Sequence, residues 1–142
     1  MSMLPQIVID TNVMVSGLRS RRGYSFRLLS LVGTGRFEIN LSVPLVLEYE
    51  EVLCEQEPEL SVGREVVEDV INFHCATANQ HQIYFLWRPL LGDLDDEMVL
   101  ELAVRARCDY IVTYNKIDFR GVESFGIRAI EPGLFLKEIG AI

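Results

Sequence analysis

The chain has 142 residues, of which 49% are hydrophobic and 24% are charged, a composition that predicts one globular domain over residues 1–142 with its own hydrophobic core. Its formal net charge of −8 argues against a protein that grips nucleic acid through a globally basic surface. Apolar runs stay well short of the roughly 20 residues of a membrane span, and Asp10 interrupts the N-terminal one. We therefore expect a soluble, cytoplasmic protein without a membrane helix or a signal peptide.

The first predicted element is a strand over residues 6–10, where three apolar β-formers end in Asp10. Apolar residues at helical spacing over 25–32 predict a short helix, which Gly33 and Gly35 end. A second strand is predicted over 37–41.

Two capped helices are expected after the second strand. Ser42 caps the first of them, which holds Pro44 in its first turn, and Ser61 caps the second, whose apolar residues run to Cys75. A strand over residues 82–87 follows.

The last third of the chain begins with a helix that starts at Asp93 or Asp95 and runs to about Arg107. Two strands and a closing helix complete the chain, over residues 110–113, 127–130 and 132–139. Strands that alternate with helices predict an α/β fold, with a mostly parallel sheet of about five strands and helices on both faces.

Two acidic residues in the first half lie at predicted element boundaries or on buried edges. Asp10 ends the first strand, and ligands of open α/β sheets bind outside the carboxyl ends of strands. Glu48 follows Leu45 by three residues and precedes Val52 by four, so it borders the apolar stripe of its helix. The alternative for Glu48 is one more surface glutamate in an acidic helix.

The densest acidic run spans residues 93–97, at the start of a predicted helix. Acidic residues are common at the start of a helix, because they cap free N–H groups and interact favourably with the helix dipole. Capping accounts for at least one of Asp93 and Asp95. Asp96 differs because it precedes Val99 by three residues and so continues the buried stripe. Glu97 instead aligns with Glu101 on a face that we expect to be solvated.

Polar residues also follow the strand over 110–113. Thr113 can hydrogen-bond a carboxylate, Asn115 can ligate or position, and Asp118 can hold a metal directly or through water, although 115–118 could also be a plain turn. Several carboxylates that converge at strand ends cannot all ionise without a cation. Ligation by oxygen alone suits Mg²⁺ or Mn²⁺.

The basic residues are unevenly placed. Four arginines fall within nine residues, at Arg19, Arg21, Arg22 and Arg27. They form either a solvated loop or a local phosphate-contact patch close to the end of the first strand.

The cysteines and histidines predict no site of their own. Cys54, Cys75 and Cys108 lack any metal-ligand spacing and sit in apolar patterns, so we expect three buried free thiols. His74 and His81 are expected to be structural or surface residues.

Four motifs, in their order and spacing, resemble those of the PIN-domain family. They are residues 7–13 with 15–18, 42–45 with Glu48, 94–97 with 102–103, and 111–115 with 118–119. The resemblance spans roughly residues 6–138 and extends to the branch of toxins from bacterial and archaeal toxin–antitoxin pairs. It implies a three-layer α/β/α sandwich and a Mg²⁺- or Mn²⁺-dependent endoribonuclease.

The resemblance also implies roles for individual residues. Asp10, Glu48 and Asp96 correspond to the family's core metal-binding acids. Two supporting polar positions of the family correspond to Thr113 and to either Thr11 or Asn12.

One departure from the family pattern concerns a second ion. Many members carry an acid directly after the pair 113–114, where this chain has Asn115. Asp118 then either takes over that ligand position, or a second ion binds weakly.

The expected substrate is single-stranded or looped RNA, because a shallow acidic groove needs an exposed backbone. Candidates to contact its phosphates are Arg19, Arg21, Arg22 and Lys116. An antitoxin partner and a homodimer are implied by resemblance alone. Val66, Val67, Val70 and Ile71 form an apolar helix face that is either core or interface.

Two other functions compete with the nuclease. A non-catalytic relative that acts by binding a partner is compatible with Asn115 and with the net acidity. A phosphatase of the haloacid-dehalogenase type would also place an acid at the position of Asp10, but it needs a second acid two residues later, where this chain has Asn12.

Overall fold

A computed structural model describes residues 4–83 and 91–142. Its centre is one sheet in which every pairing of neighbouring strands is parallel, in the order β3-β2-β1-β4-β5. The strands are β1 (Gln6–Ile9), β2 (Glu38–Leu41), β3 (Asn79–Gln80), β4 (Tyr110–Val112) and β5 (Arg128–Ile130). This confirms the predicted α/β fold with a parallel sheet of about five strands.

Helices connect the strands and pack around the sheet as an α/β sandwich. They are α1 (Thr11–Arg19), α2 (Tyr24–Leu31), α3 (Val43–Glu55), α4 (Arg64–Thr77), α5 (Leu94–Arg105) and α6 (Pro132–Glu138). Short 3₁₀ turns lie at Glu57–Glu59, Lys116–Phe119 and Val122–Phe125. Across the described ranges, no helix is both long and apolar enough to cross a membrane.

The central strand β1 fixes where the polar residues emerge. Ile7, Val8 and Ile9 are fully or almost fully buried, as expected for a strand covered on both faces. The ladder continues for one residue beyond β1, where the Asp10 N–H donates to the Val112 carbonyl at 3.0 Å. The Thr113 N–H likewise donates to the Ile130 carbonyl at 2.9 Å. These polar residues therefore leave the sheet at its carboxyl edge.

Helix α1 is the largest departure from the sequence-based prediction, which placed no helix between the first strand and residue 25. The helix begins directly after Asp10, whose Oδ1 accepts the Thr11 N–H at 2.9 Å and so caps it. A Cβ at Gly17 would lie 2.4 Å from Leu29 Cδ1, so glycine lets α2 pack closely against α1. This tertiary contact has no signature in the local periodicity.

The two serine caps have different outcomes. Ser42 caps α3 as predicted, because its side chain accepts the Leu45 N–H at 3.3 Å. Ser61 caps nothing, since α4 begins at Arg64 after Gly63. The Ser61 hydroxyl instead donates to the Leu18 carbonyl at 2.8 Å and so ties the end of α1 to the segment before α4.

The predicted strand over residues 82–87 lies mostly outside the described residues. In the part that is described, residues 81–83 have no regular structure. The edge strand that pairs with β2 is β3, with Asn79 opposite Asn40 and Gln80 opposite Leu41.

The prediction of three buried thiols is right for one cysteine. Cys108 is buried and Cys75 is partly buried, whereas Cys54 is exposed near the end of α3. His74 is buried within α4, where its Nδ1 lies 2.8 Å from the Val70 carbonyl.

The apolar face of α4 is divided between core and solvent. Val67 and Ile71 belong to the core and Val70 packs against it, while Val66 is exposed. Most of this face is therefore core, which resolves the alternative left open by the sequence.

Candidate active site

The carboxyl edge of the sheet opens into a cleft of about 520 Å³. We call it the carboxylate cleft, and its acidic lining consists of Asp10, Glu48, Asp93, Asp95, Asp96 and Asp118. It is assembled from the end of β1, helix α3, the start of α5 and the turn after β4. All four acids singled out from the sequence therefore meet in one place.

Asp10 is the most tightly held carboxylate of the cleft. Its Oδ2 accepts hydrogen bonds from the Thr113 hydroxyl at 2.8 Å and from Asn12 Nδ2 at 3.2 Å, while its Oδ1 caps α1. Only 9% of the residue is exposed. Burial raises the pKa of Asp10 although the bonds from Thr113 and Thr11 act in the opposite direction. The Asp10 carboxylate is therefore held in one orientation and is largely shielded from water.

Glu48 enters the cleft from α3. Leu45, Tyr49 and Leu53 anchor this helix in the core, and the Tyr49 hydroxyl donates to the Ile9 carbonyl at the end of β1. The Thr11 hydroxyl donates to Glu48 Oε2 at 2.5 Å, which holds the half-buried carboxylate toward Asp10's side of the cleft. Burial and then the charges of Asp95 and Asp10 raise the pKa of Glu48.

Asp96 lies in the first turn of α5 and is partly buried. Burial, and after it the charges of the neighbouring acids of the cleft with Asp93 first, raise the pKa of Asp96 from 3.8 to about 7. Asp93 itself is the helix cap, because its Oδ1 accepts the N–H groups of Asp95 at 2.9 Å and of Asp96 at 3.3 Å. The capping explanation therefore belongs to Asp93.

Asp95 is a cleft residue that sequence reasoning did not select. It lines the cleft, and its charge contributes to the raised pKa values of Glu48, Asp10 and Asp96. Its position in an acidic run at a helix start was the available signal, but local spacing cannot separate a capping acid from one that faces a neighbouring helix.

The prediction that Glu97 lies on a solvated face of its helix, α5, is wrong. This residue is only 8% exposed, and its Oε1 accepts the Leu91 N–H. Helix α5 packs against β1, β4 and α3 and also buries Met98 and Leu100, so it has more than one covered face. Glu101 is likewise only partly exposed, and burial raises its pKa.

Thr113 links both sides of the cleft. Its hydroxyl donates to Asp10 and accepts from Asn12 Nδ2 at 3.2 Å and from the Asn115 N–H at 3.0 Å. Asn12 in turn accepts the Tyr114 N–H through its Oδ1 at 3.2 Å. The polar residues expected to support the acids therefore form one hydrogen-bond network around Asp10.

Asp118 and Asn115 form the outer wall of the cleft. Both are exposed, whereas Phe119, which ends the 3₁₀ turn that carries Asp118, is buried. The charge of Asp118 contributes to the raised pKa values of Asp10 and Asp96.

The donor set of the carboxylate cleft fits a hard divalent cation. All the candidate ligands are oxygens, as Mg²⁺ and Mn²⁺ prefer, and the mutual repulsion of the acids would be relieved by a cation. In the described ranges, no three acidic, histidine or cysteine side chains stand close enough to hold an ion by themselves. Mg²⁺ commonly keeps several waters between itself and its protein ligands.

The arginines differ in their surroundings. Arg19 lines the cleft, but its Nη2 lies 3.3 Å from Glu59 Oε2 and 3.1 Å from Gln56 Oε1. Arg21 and Arg22 are exposed in the connection between α1 and α2. Lys116 is exposed in the turn that carries Asp118.

Comparisons with known proteins agree on the fold. One chain of the crystal structure of VapBC2 from Rickettsia felis, bound to a DNA fragment from their promoter, is similar with a TM-score of 0.59 and 13% sequence identity. The similarity covers 89% of this chain and 99% of that one. No curated protein matches the sequence. The PIN-domain model matches residues 6–117, and PIN domains are generally nucleases that typically use divalent metals. The chain belongs to the PIN-domain family.

Proposed function

We propose that the chain is a Mg²⁺- or Mn²⁺-dependent endoribonuclease and that the carboxylate cleft is its active site. The observation that carries this proposal is the meeting of Asp10, Glu48, Asp96 and Asp118 at the carboxyl edge of the sheet. Burial and mutual repulsion raise the pKa values of the first three, which is typical of a site built around a cation.

The residues would divide the work as follows. Asp10 and Asp96 would hold the ion, and the bonds from Thr113 and Asn12 fix the orientation of the Asp10 carboxylate. A bound ion would lower the pKa of a water molecule and neutralise charge at the phosphorus. Asp118 completes the site or holds a second ion beside Asn115.

Glu48 is placed to take the proton of the attacking water. Its carboxylate lines the cleft, and the Thr11 hydroxyl orients it. The water oxygen forms a bond to phosphorus as the bond to the 3′ oxygen breaks, and that oxygen takes a proton from solvent water, so the products carry a 5′ phosphate and a 3′ hydroxyl. Among the predicted phosphate contacts, Arg21, Arg22 and Lys116 are exposed, and Lys116 lies in the turn that carries Asp118.

Cleavage of a structured RNA tests the proposal. We expect wild type to cleave it with Mg²⁺ or Mn²⁺ and to stop when EDTA is added, and Asp96→Asn to be inactive. Asp69→Asn is the matched control, because Asp69 is an exposed acid of α4 outside the cleft. Equal cleavage by wild type and Asp96→Asn that EDTA does not inhibit would contradict the proposal.

We further propose that the chain acts in the cytoplasm as the toxin of a toxin–antitoxin pair, as a homodimer bound by an antitoxin. The family resemblance and the similarity in fold to VapBC2 support this. Induced expression of wild type should arrest growth of a host cell, whereas Asp96→Asn expressed to the same level should not. Arrest by both variants would contradict a toxic nuclease, and sedimentation of the purified chain tests the dimer.

The non-catalytic alternative is supported by one observation. Asn115 occupies the outer wall of the cleft, where many members of the family carry an acid, so the site has one charge fewer. This alternative predicts no Mn²⁺ binding at millimolar concentration. The phosphatase alternative has no such support, because Asn12 stands where that chemistry needs a second acid.

A further inference from the structure

A basic region lies next to the acidic cleft in a chain whose net charge is −8. Between Asp10 and Glu38 there is no acidic residue. The same segment carries five arginines, at Arg19, Arg21, Arg22, Arg27 and Arg36. It forms α1, α2 and their connections, so these five positive charges have no acid within their own segment.

Part of this region surrounds a hollow of about 360 Å³. Its side walls are Arg21, Arg22, Arg27, Tyr24 and Phe26, and we call this set the arginine surface. Arg21 and Arg22 form no ion pair with any carboxylate of the described residues. Arg27 donates from its Nη2 to the backbone carbonyl of Ala141 at 3.0 Å and likewise forms no ion pair among the described residues.

Tyr24 gives the arginine surface an aromatic platform. The residue is 55% exposed, and a Cβ at Gly133 of α6 would lie 2.8 Å from its Cδ2. The ring therefore rests on the backbone of α6 where only a glycine allows it. A ring supported in this way is ready to stack on a base with little loss of conformational freedom.

Tyr114 connects the arginine surface to the carboxylate cleft. Its hydroxyl lies 2.5 Å from Ser25 Oγ, next to Tyr24, and its N–H donates to Asn12, which lines the cleft. Tyr114 is 40% exposed. A second aromatic ring therefore lies between the acids and the arginines.

We propose that a single-stranded flank of the RNA substrate leaves the carboxylate cleft over Tyr114 and binds the arginine surface. One base stacks on Tyr24, while Arg21, Arg22 and Arg27 contact the neighbouring phosphates. This rests on the proposed nuclease function and adds the path of its substrate. An unpaired strand fits because stacking needs a splayed base, which a duplex does not offer. Arg19 takes no part, since Glu59 and Gln56 already engage it.

Binding in EDTA tests the path without any cleavage. Fluorescence anisotropy with oligouridylate of about 12 nucleotides should show that Tyr24→Ala binds about 5- to 150-fold more weakly than wild type, and that Tyr24→Phe keeps its affinity. Arg21→Gln/Arg22→Gln should weaken binding and reduce the slope of log K against log salt by about 1.4. The matched control is Arg64→Gln/Arg107→Gln, two exposed arginines outside the basic segment. Thermal melting checks that each variant folds.

Three outcomes would overturn the path: unchanged affinity of Tyr24→Ala and of the Arg21/Arg22 variant, equal weakening by the control pair, or equal affinity of wild type for duplex RNA of the same length. The nuclease proposal fails differently. A protein that binds as described but never cleaves with Mg²⁺ contradicts the nuclease alone. Asp96-dependent cleavage together with unchanged binding by the variants contradicts the path alone.

Discussion

The carboxylate cleft and the arginine surface carry opposite charge, and they differ in how far that charge is exposed to water. In the cleft, acids are partly buried beside one another, and their pKa values rise because burial and repulsion both disfavour the charged form. On the arginine surface the like charges are exposed, where water and salt screen them.

The contrast indicates which region is built for chemistry. Exposed charges of one sign cost little and suit a substrate that carries phosphates. Crowded, half-buried acids lower the stability of the metal-free protein, and a bound cation would relieve their repulsion.

The largest expected effect is that of Asp10→Asn on cleavage. Asparagine can still cap α1, so the fold should survive, but the ion loses a charged ligand. Loss of a residue that only hydrogen-bonds a metal ligand costs about 10- to 100-fold in metal affinity or activity. Because Asp10 is itself a proposed ligand, we expect a loss of more than about 100-fold in single-turnover cleavage. Activity within tenfold of wild type would remove Asp10 from the proposed ligand set.

The next effect is that of Thr113→Val, which removes the hydroxyl that holds Asp10 but leaves every acid in place. We expect a loss of about 10- to 100-fold in metal affinity and cleavage, as for other outer partners of metal ligands. Thr113→Ser is the control, because it keeps the hydroxyl. Equal losses in both variants would indicate a packing defect at this buried position.

A smaller effect is expected at the outer wall. Asp118 is exposed, so its charge is worth about 1 kcal/mol, and Asp118→Asn should slow cleavage about fivefold. Asn115→Asp in the same background should restore the rate if the two positions share one ligand role. If Asn115→Asp neither restores the cleavage rate of Asp118→Asn nor changes the rate on its own, a second ion plays no part.

The smallest effect concerns stability without metal. The Asp96 pKa of about 7 lies above its ordinary 3.8, so the folded protein binds this proton more tightly than the unfolded chain. Its destabilising contribution is absent below about pH 4, grows between pH 4 and 7, and is complete above pH 7. After a discount for its solvent exposure, Asp96→Asn in EDTA should be about 1 kcal/mol more stable than wild type at pH 8.

Denaturant unfolding at pH 4 and pH 8 measures that difference, with Asp69→Asn as a control whose stability should follow wild type at both. An Asp96→Asn protein that is less stable than wild type at pH 8 would contradict the repulsion that we assign to the cleft.

The elements that the sequence predicted well are those whose signals are local. The apolar run of β1 ends at Asp10, Ser42 caps α3, and the stripe of α3 places Glu48 beside the buried Tyr49. Parallel strands bring their carboxyl ends to one edge, so the meeting of the acids could be expected from topology alone.

The elements that the sequence missed depend on contacts between distant residues. Helix α1 has polar and glycine residues in its repeat, and the approach of Leu29 that explains Gly17 is visible only in three dimensions. Glu97 is buried because α5 packs on several neighbours, whereas a single stripe predicts one covered face. The hydrogen bond between Ser25 and Tyr114 joins residues 89 positions apart.

Calorimetric titration with Mn²⁺ tests the central claim most directly, that the carboxylate cleft holds a divalent cation. Wild type should bind Mn²⁺ at pH 8, and more weakly at pH 6, because the Asp96 carboxyl takes up a proton there and metal ligands must be deprotonated. Asp10→Asn should bind far less, and Asp69→Asn should match wild type. Absence of binding by wild type at millimolar Mn²⁺ and pH 8 would contradict the account.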